Sequence, residues 1–277
     1  MEATRAVGPK LSEDSEELAR DYERVSQARQ FQSGKRLVQA LDLRAGERVL
    51  DVGCGTGLLA QHMADIVGPS GHVLGIDPLP LRIALAEAKA RPHLAFRVAS
   101  AYDLSFMADG SFDVVVLNAV LHWLPEKTGP LRAFARVLGP GGRIGIGGSA
   151  KDQPYALRDA WWRVMTRPPF SAHPRPAGDI VSRVDEEELR ALLQVAGFEV
   201  TSVELYDSSF FHASAEAAVR YSQASSFGNM LGHLPRELRP AAHVAIVEEL
   251  AREAGPDGAI RQEGRRMVVV ARKTATA

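Results

Sequence analysis

The stretch VLDVGCGTGLLA, residues 49–60, sets three glycines within five positions, between an apolar run that contains an acid and an apolar run of helical period. A chain so bare of side chains can turn sharply and bring its backbone against a ligand. With a strand before it and a helix after it, this is a corner of an α/β protein, where nucleotide phosphates commonly sit. Two features point elsewhere. The dinucleotide pattern G-x-G-x-x-G needs its third glycine at position 58, which is Leu; the third glycine here is Gly57. Asp51 adds negative charge beside the corner, which repels a pyrophosphate and attracts a cation.

Outward from the corner, the chain alternates apolar, β-branched runs with helical patterns. Strands are predicted at 47–53, 72–77, 94–100, 112–118 and 143–148. Helices are predicted at 57–68, 81–92 and 129–142, the last ending in Gly-Pro-Gly-Gly, and a looser helical spacing runs over 21–43. This alternation predicts a mostly parallel sheet with helices on both faces and right-handed crossovers. The ligand then lies beyond the carboxyl ends of the strands, so the loops after Val52, Asp77, Ser100 and Asn118 ring one site. Past residue 150 the pattern loosens. Residues 151–180 hold five prolines and the pair Trp161–Trp162. An amphipathic helix runs into a strand over 185–200, residues 213–255 are helical and alanine-rich, and 265–273 is a late strand that we expect to run antiparallel. The expected organisation is a mobile tail over 1–20 and a core over 21–150. Two lid excursions follow over 151–182 and 213–262, with sheet completion by 183–212 and 263–277.

The composition bounds the function. Of 277 residues, 45% are hydrophobic and 24% charged, and the net charge is −1, which gives no long-range pull toward nucleic acid or an anionic membrane. The single cysteine, Cys54, excludes an internal disulfide and any cluster of several cysteines from this chain, and fits a reducing cytoplasm. It reads as a small packed residue rather than a nucleophile. No signal peptide or bilayer-length apolar stretch is visible, so a cytoplasmic protein with no membrane partner and no bound metal is expected.

LDVGCGTG resembles the first motif of the class I S-adenosylmethionine-dependent methyltransferases. GID (75–77), ASAYDL (99–104), FDVVVLNAVLHW (112–123) and LGPGGRIGIG (138–147) are similar to later segments of that family, in the family's order, over about residues 45–150. The resemblance implies a Rossmann-like class I sheet, with a helical lid, that binds S-adenosylmethionine and releases S-adenosylhomocysteine. It implies that Gly53, Cys54, Gly55 and Gly57 bring their backbone to the methionine part while Asp51 positions its charged end. Asp77, followed by Pro78, would hold the ribose hydroxyls. Ser100, Ala101 and Tyr102 would clamp the adenine, and Asn118 would border the cofactor. Many relatives carry an acid at position 100, so the adenine reader here is Ser100, Asp103, or the backbone of Ala101 or Tyr102. Asp103 could equally be solvated or cap a helix.

The acceptor is less defined. LNAVLHWLPE (117–126) and DYERVSQARQF (21–31) are similar to segments of the trans-aconitate and malonyl-carrier-protein methyltransferases. This implies Tyr22 at the cofactor and Arg29 at an acceptor carboxylate, unless Arg29 is simply a solvated helix residue. His122 is the candidate base, or a histidine packed beside Trp123. Trp123, Trp161 and Trp162 are candidate acceptor-lining residues, the last two alternatively burying a lid. No partner is evident for His173 or His212. A small-molecule carboxylate or hydroxyl acceptor leads. C- or N-methylation of a quinone-like, aromatic or amine metabolite comes second, and a non-catalytic cofactor-binding module belongs to a different class. Nucleic-acid methylation is disfavoured by Asn-Ala-Val-Leu after strand four, arsenic methylation by the lone cysteine, and a nicotinamide oxidoreductase by Leu58 and Asp51. A monomer or homodimer is expected.

Overall fold

The computed structural model describes residues 9–151, 155–176 and 181–275. In chain order the elements are α1 (Glu16–Asp21), a π-helical turn (Tyr22–Ser26), α2 (Gln27–Leu41), β1 (Arg48–Val52), α3 (Leu58–Val67) and β2 (His72–Asp77). Next come α4 (Pro80–Ala86), β3 (Leu94–Val98), β4 (Phe112–Asn118), α5 (Thr128–Val137), β5 (Leu138–Ser149) and α6 (Ala156–Met165). The chain closes with α7 (Glu186–Val195), β6 (Phe198–His212), α8 (Ala215–Ser225), α9 (Arg239–Ala251) and β7 (Ile260–Lys273).

The seven strands lie in the order β3-β2-β1-β4-β5-β7-β6. The first five pair in parallel, and β7 runs antiparallel to β5, with Gly147 opposite Val268 and Ser149 opposite Arg266. This is the mostly parallel sheet expected from the alternating pattern. Its two faces are both apolar because successive residues of a strand point to opposite sides. Val114 and Val116 face a core built with Leu37 of α2 and Met63 of α3. Val115 and Leu117 face another, built with Phe134 of α5 and Leu193 of α7. Strand order reverses between β1 and β4, which opens a crevice beyond their carboxyl ends.

The chain divides into two compact units. A sheet unit comprises residues 27–151, 181–206 and 266–277, and a helical unit comprises 1–26, 152–180 and 207–265. The helical unit has its own core, where Trp161 of α6, Val219 of α8 and Ile246 of α9 are buried together. Within it, Arg163, Arg167 and Arg252 all bond the carboxylate of Glu249, at 2.7, 3.1 and 3.1 Å.

Several boundaries differ from the sequence expectation. The segment expected as a tail holds a 3-10 turn at Leu11–Glu13 and then α1. Ser15 caps α1 by accepting from the Leu18 N–H at 3.2 Å, and Glu16 and Glu17 sit in its first turn, both favourable at a helix start. α5 ends at Val137, five residues early, because Leu138 is already extended (φ −77°, ψ 135°). Gly139, forced away from the helical region by the proline after it, continues β5 instead. α4 gives way to a 3-10 turn over Glu87–Lys89.

Candidate active site

The glycine corner is built where β1 ends. Gly53 has φ +69°, and a Cβ there would lie 2.4 Å from Val120, so only glycine lets β1 and the segment after β4 meet at the crevice. Gly57 has φ +85°, and a Cβ would come within 2.7 Å of Phe96. The backbone N–H groups of Gly53 and Cys54 donate to the Ile76 carbonyl at 2.7 and 3.0 Å, which ties the corner to β2. Asp77 completes the tie, its carboxylate accepting from the N–H of Gly55 at 2.9 Å and of Leu79 at 3.0 Å.

Asp51 is 2% exposed, and its Oδ2 has no hydrogen-bond partner. Burial, and then the charge of Asp77, push its carboxyl up to about 8. A buried acid that cannot spread its charge lacks a cation, and a positively charged group placed there would let it ionise. Burial and the same two acids push the Cys54 thiol well up, which leaves a poor nucleophile. A second unmet acceptor lies nearby on β4. Asn118 donates to the Gln30 carbonyl at 2.9 Å, while its own Oδ1, and Oε1 of Gln30, are buried without partners. Gly34 admits α2 this close, since a Cβ would lie 3.0 Å from the Asn118 amide.

At the loop after β3, Ser100 Oγ accepts from the Tyr102 N–H at 3.2 Å. Asp103 accepts from the N–H and hydroxyl of Ser105 at 3.1 and 2.6 Å, bonds that hold its carboxyl below the usual carboxylate range. Asp103 thus caps a local turn. Tyr102 is half-exposed and donates to the Glu126 carbonyl at 2.7 Å. Pro78 follows Asp77, half-buried, and Ala101 is buried.

His122 stands in the 3-10 turn after β4, half-buried, its ring 5.0 Å from that of Trp123. Burial, then Arg183, Arg266 and Lys127, drive its pKa down to about 3. Such an imidazole stays neutral at neutral pH and binds a proton too weakly to serve as a general base. The base role expected from sequence therefore does not suit this environment. Arg29 lies in the opening turns of α2, beside Gln30. Tyr22, Trp161 and Trp162 belong to the helical unit. There the Trp161 indole N–H donates to the Met230 carbonyl at 3.1 Å and its ring is buried, whereas Trp162 is exposed. His173 and His212 lie in that unit too.

Sequence reading missed Gln30, Arg183 and Arg266. The Arg-Arg pair that precedes Met-Val-Val-Val was visible as a strand head, but nothing in one sequence tells a buried arginine there from a solvated one. A cavity of about 450 Å³ lies at the opposite, amino-terminal edge, near Asp42, Glu47 and Arg143. Its charges already neutralise each other, as in the 2.7 Å pair of Arg143 and Glu47, so it presents no unmet chemistry like that of Asp51. Among the described residues no His/Cys/Asp/Glu cluster could hold a metal, and no helix is long and apolar enough to cross a membrane.

A family model described as a methyltransferase domain matches residues 17–203. Trans-aconitate 2-methyltransferase of Methylobacterium nodulans is 31% identical over 86% of this chain and 91% of its own length. The 27-O-demethylrifamycin SV methyltransferase of Amycolatopsis mediterranei is 32% identical over 71% of this chain and 74% of its own. Matches to an arsenite methyltransferase of Halobacterium salinarum and a ubiquinone biosynthesis O-methyltransferase of Xanthomonas oryzae span only 40% and 43% of those proteins. Among solved structures, the [4+2]-cyclase SpnF superposes with a TM-score of 0.56 at 21% identity, over 88% of this chain and 80% of that one, a likeness of fold alone. By its motifs, its sheet and these relatives, the chain belongs to the class I S-adenosylmethionine-dependent methyltransferases.

Proposed function

We propose that this chain binds S-adenosylmethionine at the Gly53–Gly57 corner and methylates an oxygen, carboxylate or hydroxyl, of a small-molecule acceptor. The observation that carries the cofactor assignment is the buried Asp51 carboxylate with a partnerless oxygen, beside a backbone corner that must be glycine. When bound, the cofactor supplies a methyl group on a positively charged sulfur. Asp51 would face its cationic end and the unmet Asn118 Oδ1 would accept a hydrogen bond from it. Asp77, already holding the corner to α4, would present its remaining lone pairs to the ribose. What remains for the protein is to align acceptor and methyl and to exclude water, and alignment alone can contribute roughly 7–11 kcal/mol.

The acceptor assignment rests on His122. An alcohol or phenol benefits from a base as its proton leaves, and burial with the nearby cations holds the His122 imidazole well below its ordinary value, which makes it a weak one. A carboxylate is already anionic and needs none, so of the two oxygen acceptors the site favours the carboxylate. The full-length likeness to a methyltransferase named for trans-aconitate supports the same choice. The test is a screen of acids, phenols, amines and thiols for methylated product formed with S-adenosylmethionine. Methyl esters from acids support the reading. Product from amines or aromatic carbons alone would transfer the assignment to N- or C-methylation, and cofactor binding with no product from any of them would indicate a binding module.

A further inference from the structure

Arg266 opens the part of β7 that pairs with the carboxyl end of β5, opposite Ser149. Two residues further along β7, Val268 faces Gly147, which in turn faces Asn118 at the end of β4. At about 3.3 Å per residue, Arg266 therefore lies some 7 Å beyond the last paired residue of β4, level with the segment that carries His122. It is 7% exposed, its Nε and Nη2 have no partner, and it makes no ion pair among the described residues. A guanidinium offers five N–H donors, and leaving part of that fork buried and unmet is costly.

Positive charge also acts on the His122 ring. The Ser182 N–H donates to the His122 carbonyl at 2.8 Å, which pins Arg183 beside the same turn. Lys127 is buried, its ammonium donating to the Leu124 carbonyl at 2.6 Å. Glu126 and Glu188 act on Lys127, but the charges that act on the His122 ring are Arg183, Arg266 and Lys127, all cations. Lys151, by contrast, is paired with Glu188 at 2.8 Å. The Arg266 fork is left partly unmet, at the edge of the sheet where the methyl donor belongs.

We propose that Arg266, with Arg183 and His122, forms the receptor for a carboxylate of the acceptor, Arg266 donating through its Nε and Nη2 and the neutral imidazole offering an N–H. This assignment rests on the methyltransferase reading and deepens it: the acceptor is an organic acid. If the acceptor has one carboxylate, the group held is the one methylated; if it has two, this receptor can hold one and present the other. The same chemistry has a second source, because the cofactor carries a carboxylate of its own. Asp51 on β1 and Arg266 on β7 stand three strand spacings apart, about 14 Å sideways at roughly 4.8 Å each, and Arg266 lies four residues further toward the carboxyl edge. That separation suits two ligands better than one amino-acid head group.

The experiment uses the full chain, with S-adenosylhomocysteine as the cofactor probe and malonate as the acid probe, malonamide serving as its uncharged match. Calorimetry is run for each probe alone and for malonate on protein saturated with S-adenosylhomocysteine. Malonate should bind the loaded protein and malonamide should not. Arg266→Gln should weaken malonate by roughly ten- to a hundredfold, the loss of charge-assisted hydrogen bonds, with S-adenosylhomocysteine affinity unchanged. Arg266→Lys, which keeps the charge and loses the fork, should recover part of the binding, and a thermal melt no lower than wild type should show that both variants fold. Malonate that binds wild type no better than Arg266→Gln overturns the receptor while leaving the cofactor site intact. S-adenosylhomocysteine that displaces malonate, or loses affinity alongside it in Arg266→Gln, overturns the acceptor assignment in favour of the cofactor's carboxylate. Failure of S-adenosylhomocysteine to bind wild type overturns the methyltransferase reading and takes this inference with it.

Discussion

Glu249 of the helical unit and Asp51 of the sheet unit are both buried carboxylates, and their surroundings are opposite. Glu249 sits among Arg163, Arg167 and Arg252, which hold its carboxyl below the usual carboxylate range despite burial. Asp51 has another acid for its neighbour and an oxygen with no partner, and its carboxyl rises to about 8. Folding alone explains Glu249, because each charge there is met by its opposite. It does not explain Asp51, whose burial works against folding at neutral pH and is relieved only by taking up a proton or by a cation from outside. Arg266 repeats the lesson with the sign reversed. Buried charge that the chain neutralises itself holds a fold together, and buried charge left unmet marks where a ligand completes it.

The contrast can be broken most directly by removing the unmet charge. Asp51→Asn should weaken S-adenosylhomocysteine by about a hundredfold, as expected for losing a buried charge-assisted contact, and should at the same time raise the melting temperature at pH 8. Calorimetry and a thermal melt check both. A variant that lost stability along with affinity would make Asp51 a structural residue like Glu249.

The wild-type pH dependence sharpens the same point. Between the ordinary carboxylate range near 4 and about 8, folded Asp51 holds a proton that the unfolded chain has released. Its contribution to stability is therefore complete at acid pH and declines as pH rises toward 8. Cofactor affinity should move oppositely, rising by up to about tenfold per pH unit on approach to 8 and levelling above it. Titrations at pH 6, 7, 8 and 9 read the slope, which should vanish in Asp51→Asn.

Smaller effects test the rest of the comparison. Glu249→Gln should lower the melting temperature and leave S-adenosylhomocysteine affinity unchanged, since its arginines serve the helical unit's own packing. A measured loss of cofactor affinity would contradict that division of labour. His122→Asn should change turnover on an acid acceptor by less than the roughly hundredfold or more expected on removal of a general base, and should leave the rate flat between pH 6 and 8. A bell-shaped profile in wild type that disappears in this variant would restore the base.

The glycine corner was legible in the sequence because it rests on local necessity. Gly53 and Gly57 take positive φ and closely approach Val120 and Phe96, positions where other residues do not fit. The parallel sheet was legible for a similar reason, since Val114 to Leu117 alternate between two apolar cores and so must read as a continuous apolar run. The start of α1 was also written, as Ser15 followed by two glutamates, but two turns of charged helix look like a tail until they have something to pack on. Arg266 and Gln30 could not be read at all. Whether an arginine at a strand head meets water or is buried beside other cations depends on β5, β7 and the turn after β4 coming together. His122 was found, as either a base or a histidine packed beside Trp123, and the choice could not be read because two of the cations that act on it, Arg183 and Arg266, come from distant parts of the chain.

The account turns on whether the Asp51 corner embraces a cation-bearing methyl donor. Calorimetric titration of the wild-type chain with S-adenosylmethionine at pH 8.5, in parallel with NAD and ATP, measures this. The account predicts saturable one-to-one binding of S-adenosylmethionine that Asp51→Asn weakens by about a hundredfold, and no uptake of either nucleotide. Binding of NAD or ATP with none of S-adenosylmethionine, or equal affinity in Asp51→Asn, would contradict it.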